Sequence, residues 1–301
     1  MTVGHGAPRP AKARIANSMG KASILMEALP YIQRFRTHVV VVKYGGSTME
    51  DPALRTSFAG DITLLATVGI HPVIVHGGGP QIDEAMAREG IEPRWIDGLR
   101  VTDAATMRVV QRVLVGEVNA DIVRLLAGHG AHAIGINGLD ANLLTAVPRD
   151  ERLGFVGDIE RVNGDVVRRL LGDGLVPVIA PIARGADGEI YNINADTAAA
   201  AIATALGARK LVYLTDVEGV YADPASPDSL IARMDVTRLW QLLETMSGGM
   251  LPKLQSVAGA LDGGVTRAHI LDGRVQHALL LEMFTREGVG TMITQDGDDR
   301  P

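Results

Sequence analysis

From position 38 onward the chain alternates two patterns: short apolar runs with almost no polar interruption, and longer stretches whose apolar positions recur every three or four residues. The runs at 39–42, 72–76, 133–136, 176–179 and 210–214 predict strands buried on both faces, because a strand with one wet face alternates apolar and polar residues. Between them the helical period predicts helices opening at Asp51-Pro52 and covering 80–89, 103–127 and an Ala-rich stretch at 196–206. Asp51 is placed to cap the first of these, with proline in its first turn. Further on, helices near 236–245, 250–261 and 274–286 flank strands near 268–271 and 290–294, and 155–162 reads as part of a β-hairpin. Alternation of this kind implies an α/β fold with a mostly parallel sheet covered by helices on both faces.

The beginning of the chain reads differently. Residues 1–18 are rich in glycine, proline and small polar types and are expected to be disordered. Residues 19–36 predict an amphipathic helix, with Ile24, Leu25, Ala28, Leu29, Ile32 and Phe35 at helical spacing and Pro30 set to kink it. Because this helix precedes the first core strand, it is free to pack on another subunit.

Composition narrows the classes. The 301 residues are 47% hydrophobic but only 4% aromatic, so Val, Ile, Leu and Ala must build the core. A net charge of −6 argues against a nucleic-acid partner, whose footprint is a basic face. With no cysteine there is no disulfide, thiolate metal site or cysteine nucleophile, and an intracellular, cytoplasmic location fits. No apolar run approaches the ~20 residues of a membrane span, and residues 1–20 lack the apolar core of a signal peptide.

Two strands run into glycine clusters: Val42-Lys43-Tyr44-Gly45-Gly46-Ser47 and Val75-His76-Gly77-Gly78-Gly79-Pro80. Glycines beyond the carboxyl ends of such strands let backbone N–H groups approach an anion, and the following helix N-terminus adds favourable potential. No G-x-x-x-x-G-K-[ST] and no G-x-G-x-x-G after a strand occur, so neither a P-loop nor a dinucleotide fingerprint is present. The His-Gly-Gly-Gly run would suit an esterase oxyanion loop, but no serine has the flanks of a nucleophile elbow. Isolated cations sit beside other glycine turns: Arg100 in GLRVTD and Lys253 in GGMLPK. In an acidic chain these suggest a local anion site. Asn192-Ile193-Asn194-Ala195-Asp196 precedes the Ala-rich helix, where capping is the ordinary use of Asn and Asp.

Taken together, the strings VKYGGS, HGGGP, GLRVTD, NINADTAAAA, LTDVEGVY and GGMLPK resemble, in order and spacing, the N-acetylglutamate kinases of the amino-acid-kinase superfamily, over about residues 20–294. The resemblance implies an open three-layer sandwich with a central, mainly parallel sheet. It implies an N-acetyl-L-glutamate-binding lobe at 37–190 and an ATP-binding lobe at 191–301. Gly78, Gly79, Arg100 and Asn192 would hold N-acetyl-L-glutamate, Arg100 pairing with its α-carboxylate. Lys43 and Lys253 would stabilise the transferring phosphoryl group, with Asp196 orienting both. Gly45 and Gly46 would donate N–H groups to phosphate, and Asp216 would line the adenosine side. ATP with Mg²⁺ is the implied cosubstrate, and no protein metal ligand is singled out.

The chemistry agrees with that residue set. A carboxylate nucleophile with a reference pKa of ~4.3 is already ionised at neutral pH and needs no general base. The barrier is the approach of two anions, so alignment and charge neutralisation carry catalysis. Members of the family that L-arginine inhibits carry an N-terminal kinked helix that interlaces dimers into a hexameric trimer of dimers. They also carry a segment similar to Leu280-Leu281-Glu282-Met283-Phe284-Thr285 followed by Gly288, Gly290 and Thr291. By that likeness His269 and Glu282 would contact the arginine effector.

Overall fold

Eight strands form one sheet, in the order Arg233–Asp235, Thr291–Thr294, Arg267–Asp272, Lys210–Thr215, Val39–Tyr44, His71–His76, Val176–Ala180 and Ala133–Asn137. These come from a computed structural model that describes residues 11–223, 225–246, 248–285 and 288–295. Neighbouring strands run parallel except Arg267–Asp272 against Thr291–Thr294. The reason lies in burial on both faces. Along the first strand Val41 enters one apolar cluster, while Val40 and Val42 enter the other. Helices Ala195–Leu206 and Met250–Asp262 supply the first cluster; helices Pro52–Thr67 and Ala278–Phe284 supply the second. The molecule is therefore an open three-layer α/β sandwich.

Local chemistry sets where the helices begin. The Asp51 carboxylate accepts from Ala53 N at 2.8 Å and Leu54 N at 2.9 Å. Asn194 Oδ1 accepts from Asp196 N at 2.8 Å and Thr197 N at 3.2 Å, starting the Ala-rich helix. Each cap satisfies N–H groups that have no partner inside the helix.

Three places depart from the pattern reading. The helix expected over 103–127 is interrupted: Ala104–Gln111 passes into a π-helical stretch, Arg112–Val118, before Asn119–Gly128. The hairpin expected around 155–162 is Leu144–Pro148 against Val156–Val162, and these two close into a small four-stranded barrel with Ile182–Gly185 and Ile190–Ile193. The N-terminal helix spans Ala11–Phe35, so it starts inside the stretch expected to be disordered; residues 1–10 lie outside the described residues. Pro30 lies inside this helix, which leaves Met19, Ile24, Leu25 and Met26 exposed. Among the described residues no helix is long and apolar enough to cross a membrane.

Candidate active site

Parallel pairing of Val39–Tyr44 with His71–His76 sets Lys43 beside Val75 and Tyr44 beside His76, so both glycine runs leave the sheet together. Gly77 N donates to Tyr44 O at 2.8 Å. A Cβ on Gly45 would lie 3.0 Å from Lys43 Nζ and 3.7 Å from Gly77 Cα. Gly46 has φ +74°, and a Cβ there would meet both Asp216 carboxylate oxygens at 2.8 Å. Glycine is thus required twice over at position 46, for backbone conformation and for room. Asp216, just past the strand Lys210–Thr215, faces this loop. A Cβ on Gly78 would press Leu114 Cδ2 at 2.6 Å, so the π-helical stretch sits directly over the second loop.

Beside the first loop one carboxylate gathers two remote lysines. Asp196 Oδ1 lies 3.2 Å from Lys43 Nζ, and Oδ2 lies 2.7 Å from Lys253 Nζ. The three side chains retain only 14%, 17% and 12% exposure for Lys43, Asp196 and Lys253. Burial pushes the Asp196 carboxyl up, but the ammonium groups of Lys43 and Lys253 outweigh it and hold it below the usual range. Burial pulls the Lys253 ammonium down, with Asp196 opposing. Tyr213 supports the clamp: its hydroxyl donates to Asp196 O at 2.9 Å, and Lys253 Nζ stands 5.1 Å from its ring centroid. Beside the glycine loop, two cations sharing one anion form an acceptor for phosphate charge.

Arg100 reaches the second glycine loop. It is 6% exposed, its Nη1 pairs with Asp83 Oδ1 at 2.5 Å, and its Nη2 donates to Gly79 O at 3.4 Å. Its guanidinium lies 4.5 Å from the Trp95 ring centroid. That stack comes from a two-residue hairpin in which Trp95 pairs with Arg100 across Asp97 (φ 50°) and Gly98 (φ 76°). Asp-Gly between two short strands is a strong sequence signal for such a turn and could have placed Trp95 beside Arg100 in advance. Asn192 joins this side through Thr102, to whose Oγ1 its Nδ2 donates at 3.4 Å. The structure therefore brings Gly78, Gly79, Arg100 and Asn192 to one flank, and Lys43, Asp196, Lys253, Gly45, Gly46 and Asp216 to the other.

His269 and Glu282 lie apart from this cleft. They sit at a cavity of about 940 Å³ between the N-terminal helix and the C-terminal strands, lined by Tyr31, Arg34, Lys210, Arg267 and Glu282 among others. His269 is fully buried and lies behind the wall, with its Nδ1 2.8 Å from Glu282 Oε1. Burial drops the His269 imidazolium to about 4. Burial also pulls the Lys210 ammonium down to about 8, with Glu282 opposing. Lys210 and Arg267 were not singled out from sequence: Lys210 reads there as the start of a strand and Arg267 as the residue before one, and only the parallel pairing of their strands puts both on the cavity wall.

Residues 38–272 match the Amino acid kinase family, and the chain belongs to it. Solved structures agree on the fold. A carbamate kinase from Giardia lamblia bound to AMP-PNP superposes with a TM-score of 0.61 at 15% identity, covering 86% of this chain and 99% of that one. An N-acetylglutamate synthase from Neisseria gonorrhoeae, complexed with coenzyme A and N-acetyl-glutamate, gives a TM-score of 0.81 at 31% identity over 92% of this chain. This chain spans 64% of that synthase's length. Curated relatives narrow the class. Acetylglutamate kinases from Frankia alni and Acidothermus cellulolyticus are 51% and 52% identical, over 96% and 91% of this chain and 86% and 96% of theirs. Within the family, the chain belongs to the acetylglutamate kinases.

Proposed function

We propose that the cleft transfers the γ-phosphoryl group of ATP to the side-chain carboxylate of N-acetyl-L-glutamate, giving the acyl phosphate at an early step of L-arginine biosynthesis. The observation that carries this assignment of roles is the Lys43–Asp196–Lys253 clamp facing the paired glycine loops. The acceptor carboxylate attacks phosphorus, the bond to the β,γ-bridging oxygen breaks, and ADP leaves. Lys43 and Lys253 neutralise charge on the group in flight, while Asp196 holds their spacing. Gly45 and Gly46 offer N–H groups to phosphate, and Asp216 borders the nucleotide. Among the described residues no group of three or more His, Asp or Glu side chains is placed to cage a metal ion. Mg²⁺ would enter on the ATP phosphates, keeping most of its water. An ADP-release assay over a panel of acceptors (N-acetylglutamate, glutamate, aspartate, carbamate) tests the reading; turnover with another acceptor in preference to N-acetylglutamate overturns it.

Arg100, seated between Trp95 and the Gly79 carbonyl, is the candidate for the α-carboxylate of the acceptor. Lysine keeps the charge but loses the planar fork and the stack. Arg100→Lys is therefore expected to raise KM for N-acetylglutamate on the order of 10-fold and to leave kcat within about threefold. An unchanged KM in steady-state kinetics removes Arg100 from the site.

The 940 Å³ cavity supports L-arginine as effector: Glu282 matches a guanidinium, and Lys210 and Arg267 match a carboxylate. The exposed apolar positions Met19, Ile24, Leu25 and Met26 support an N-terminal helix that interlaces dimers into a hexamer. Because Tyr31 and Arg34 of this helix also line the cavity, the two features are linked. A chain lacking residues 1–36 is expected to elute as a dimer and to lose inhibition by arginine while keeping its turnover. A hexamer that survives the truncation refutes the link.

A further inference from the structure

Protein donors tie back the Gly45 carbonyl and the two carbonyls that follow the first glycine run at Thr48 and Met49, and all three glycine carbonyls of the second have a polar side chain or backbone N–H beside them. In the first, Thr48 Oγ1 donates to Gly45 O at 2.7 Å, the Tyr44 hydroxyl donates to Thr48 O at 3.0 Å, and Arg55 Nη1 donates to Met49 O at 2.9 Å. In the second, Ile82 N donates to Gly78 O at 2.9 Å and Arg100 Nη2 to Gly79 O at 3.4 Å. The remaining carbonyl, Gly77 O, lies 2.8 Å from Nδ1 of the fully buried His76. A peptide unit has a donor end and an acceptor end, so fixing the carbonyl fixes where the next N–H points. Here that next N–H belongs to Gly78, at the mouth of the helix Gly79–Arg88.

His76 does this in one protonation state only. Its Nε2 lies 3.1 Å from Asn119 Nδ2, and the same Asn119 nitrogen donates to Val178 O at 2.9 Å. A carbonyl partner fixes which end of the Asn119 amide is the nitrogen, and an amide nitrogen only donates. Nε2 of His76 must therefore be the acceptor, and the ring proton must sit on Nδ1, where it donates to Gly77 O. Asn119 is 5% exposed and closely confined: a Cβ on Gly135 would lie 2.0 Å from its Oδ1. It is also the first residue after the π-helical stretch that covers Gly78.

Resting on the phosphoryl-transfer reading above, we infer that His76, held as the neutral Nδ1–H tautomer by Asn119, is a positioning residue that keeps the Gly77 carbonyl turned from the phosphoryl group and the Gly78 N–H turned towards it. Without that hold the Gly77–Gly78 peptide is free to rotate, and a carbonyl dipole would then face the transferring anion in place of a donor. The cost falls on the transition state, where phosphoryl charge must be met, more than on nucleotide binding, which the rest of the cradle shares.

Two variants and one spectrum test this. The amide nitrogen of Asn can occupy the place of the imidazole Nδ1, whereas Gln reaches instead towards the place of Nε2. H76Q is expected to lose kcat on the order of 10²-fold with KM for ATP changed less than about threefold. H76N, which keeps the donor to Gly77 O, is expected to recover kcat to within about tenfold of wild type. A purely structural role would lower the thermal midpoint of both variants and leave no such split in kcat; equal kcat values for the two, or H76Q within twofold of wild type, overturn the proposal. Independently of turnover, ¹⁵N-histidine NMR of the wild-type chain at pH 7.5, with His76 assigned by its loss in H76N, is expected to show the proton on Nδ1. A proton on Nε2 overturns the proposal even where the wild-type chain proves active on N-acetylglutamate. Absence of that wild-type activity, with the Nδ1–H tautomer observed, strikes the functional reading and leaves the geometry of the hold intact.

Discussion

Alanine at Lys43 or at Lys253 is expected to lower kcat by 10²–10³-fold, about 3–4 kcal/mol of barrier, while KM for ATP moves by less than about tenfold. The reasoning is electrostatic. Both ammonium groups are largely withdrawn from water, so their field is weakly screened, and both are already aimed by a common carboxylate at 3.2 and 2.7 Å. The charge they meet is greatest in the transition state, when the phosphoryl group is bonded fully to neither oxygen. Ground-state ATP keeps the glycine N–H groups, so its binding suffers less. The double variant is expected to lose less than the product of the two single losses, since each removal already disturbs the Asp196 bridge on which the other lysine depends. Initial-rate kinetics on the three variants checks this; a change confined to KM would remove the lysines from phosphoryl stabilisation.

Much of the fold was legible because the strands that matter are buried on both faces. The runs at 39–42, 72–76, 176–179 and 210–214 become central strands whose residues enter one or other apolar cluster, as unbroken apolar runs require. The barrel was harder. Its strands are short, and Val156–Val162 mixes buried with exposed positions, so periodicity identified a hairpin but not closure with Ile182–Gly185 and Ile190–Ile193. The π-helical stretch was not read from the pattern, because apolar residues recurring every three or four positions are taken for an α-helix whether the backbone bonds run i→i+4 or i→i+5.

The site was legible as motifs and illegible as geometry. Lys43 and Lys253 announce themselves by neighbouring glycines and all three of Lys43, Asp196 and Lys253 by family likeness, but the convergence of the two lysines on the Asp196 carboxylate is a product of the tertiary fold. Asp83 reads in sequence as an ordinary helix residue, and its pairing with Arg100 appears only when the Asp97-Gly98 hairpin folds back. His269 reads as a strand-end histidine and proves to be buried behind Glu282. His76 and Asn119 carry no sequence signal of their link at all: they meet because strands His71–His76 and Val176–Ala180 are neighbours and the helix Asn119–Gly128, packed on Val176–Ala180, begins at Asn119.

Replacing Asp196 by Asn separates holding from neutralising. The change keeps the side chain's size, and the cap at this helix start is made through the Asp196 backbone N–H to Asn194 Oδ1, so the helix is not directly disturbed. What disappears is the negative charge between two ammonium groups. In the free enzyme this leaves two buried cations facing each other, and a loss of about 3 kcal/mol in stability is expected. The sign of its pH dependence follows from the depressed carboxyl: the ion-paired Asp196 stabilises the wild type above its usual titration range, and that stability is lost as pH falls through the lowered value. The difference between wild type and Asp196→Asn should therefore be full at pH 7 and shrink in acid. ATP brings its own negative charge to the lysines, so nucleotide should stabilise the variant more than the wild type in thermal unfolding, and KM for ATP should fall or hold. Turnover should drop on the order of 10²-fold, because the lysines, freed from their common anchor, no longer hold the spacing the transition state needs. If Asp196→Asn instead turns over at the wild-type rate, the carboxylate is only a structural counter-ion and the two lysines find their places without it.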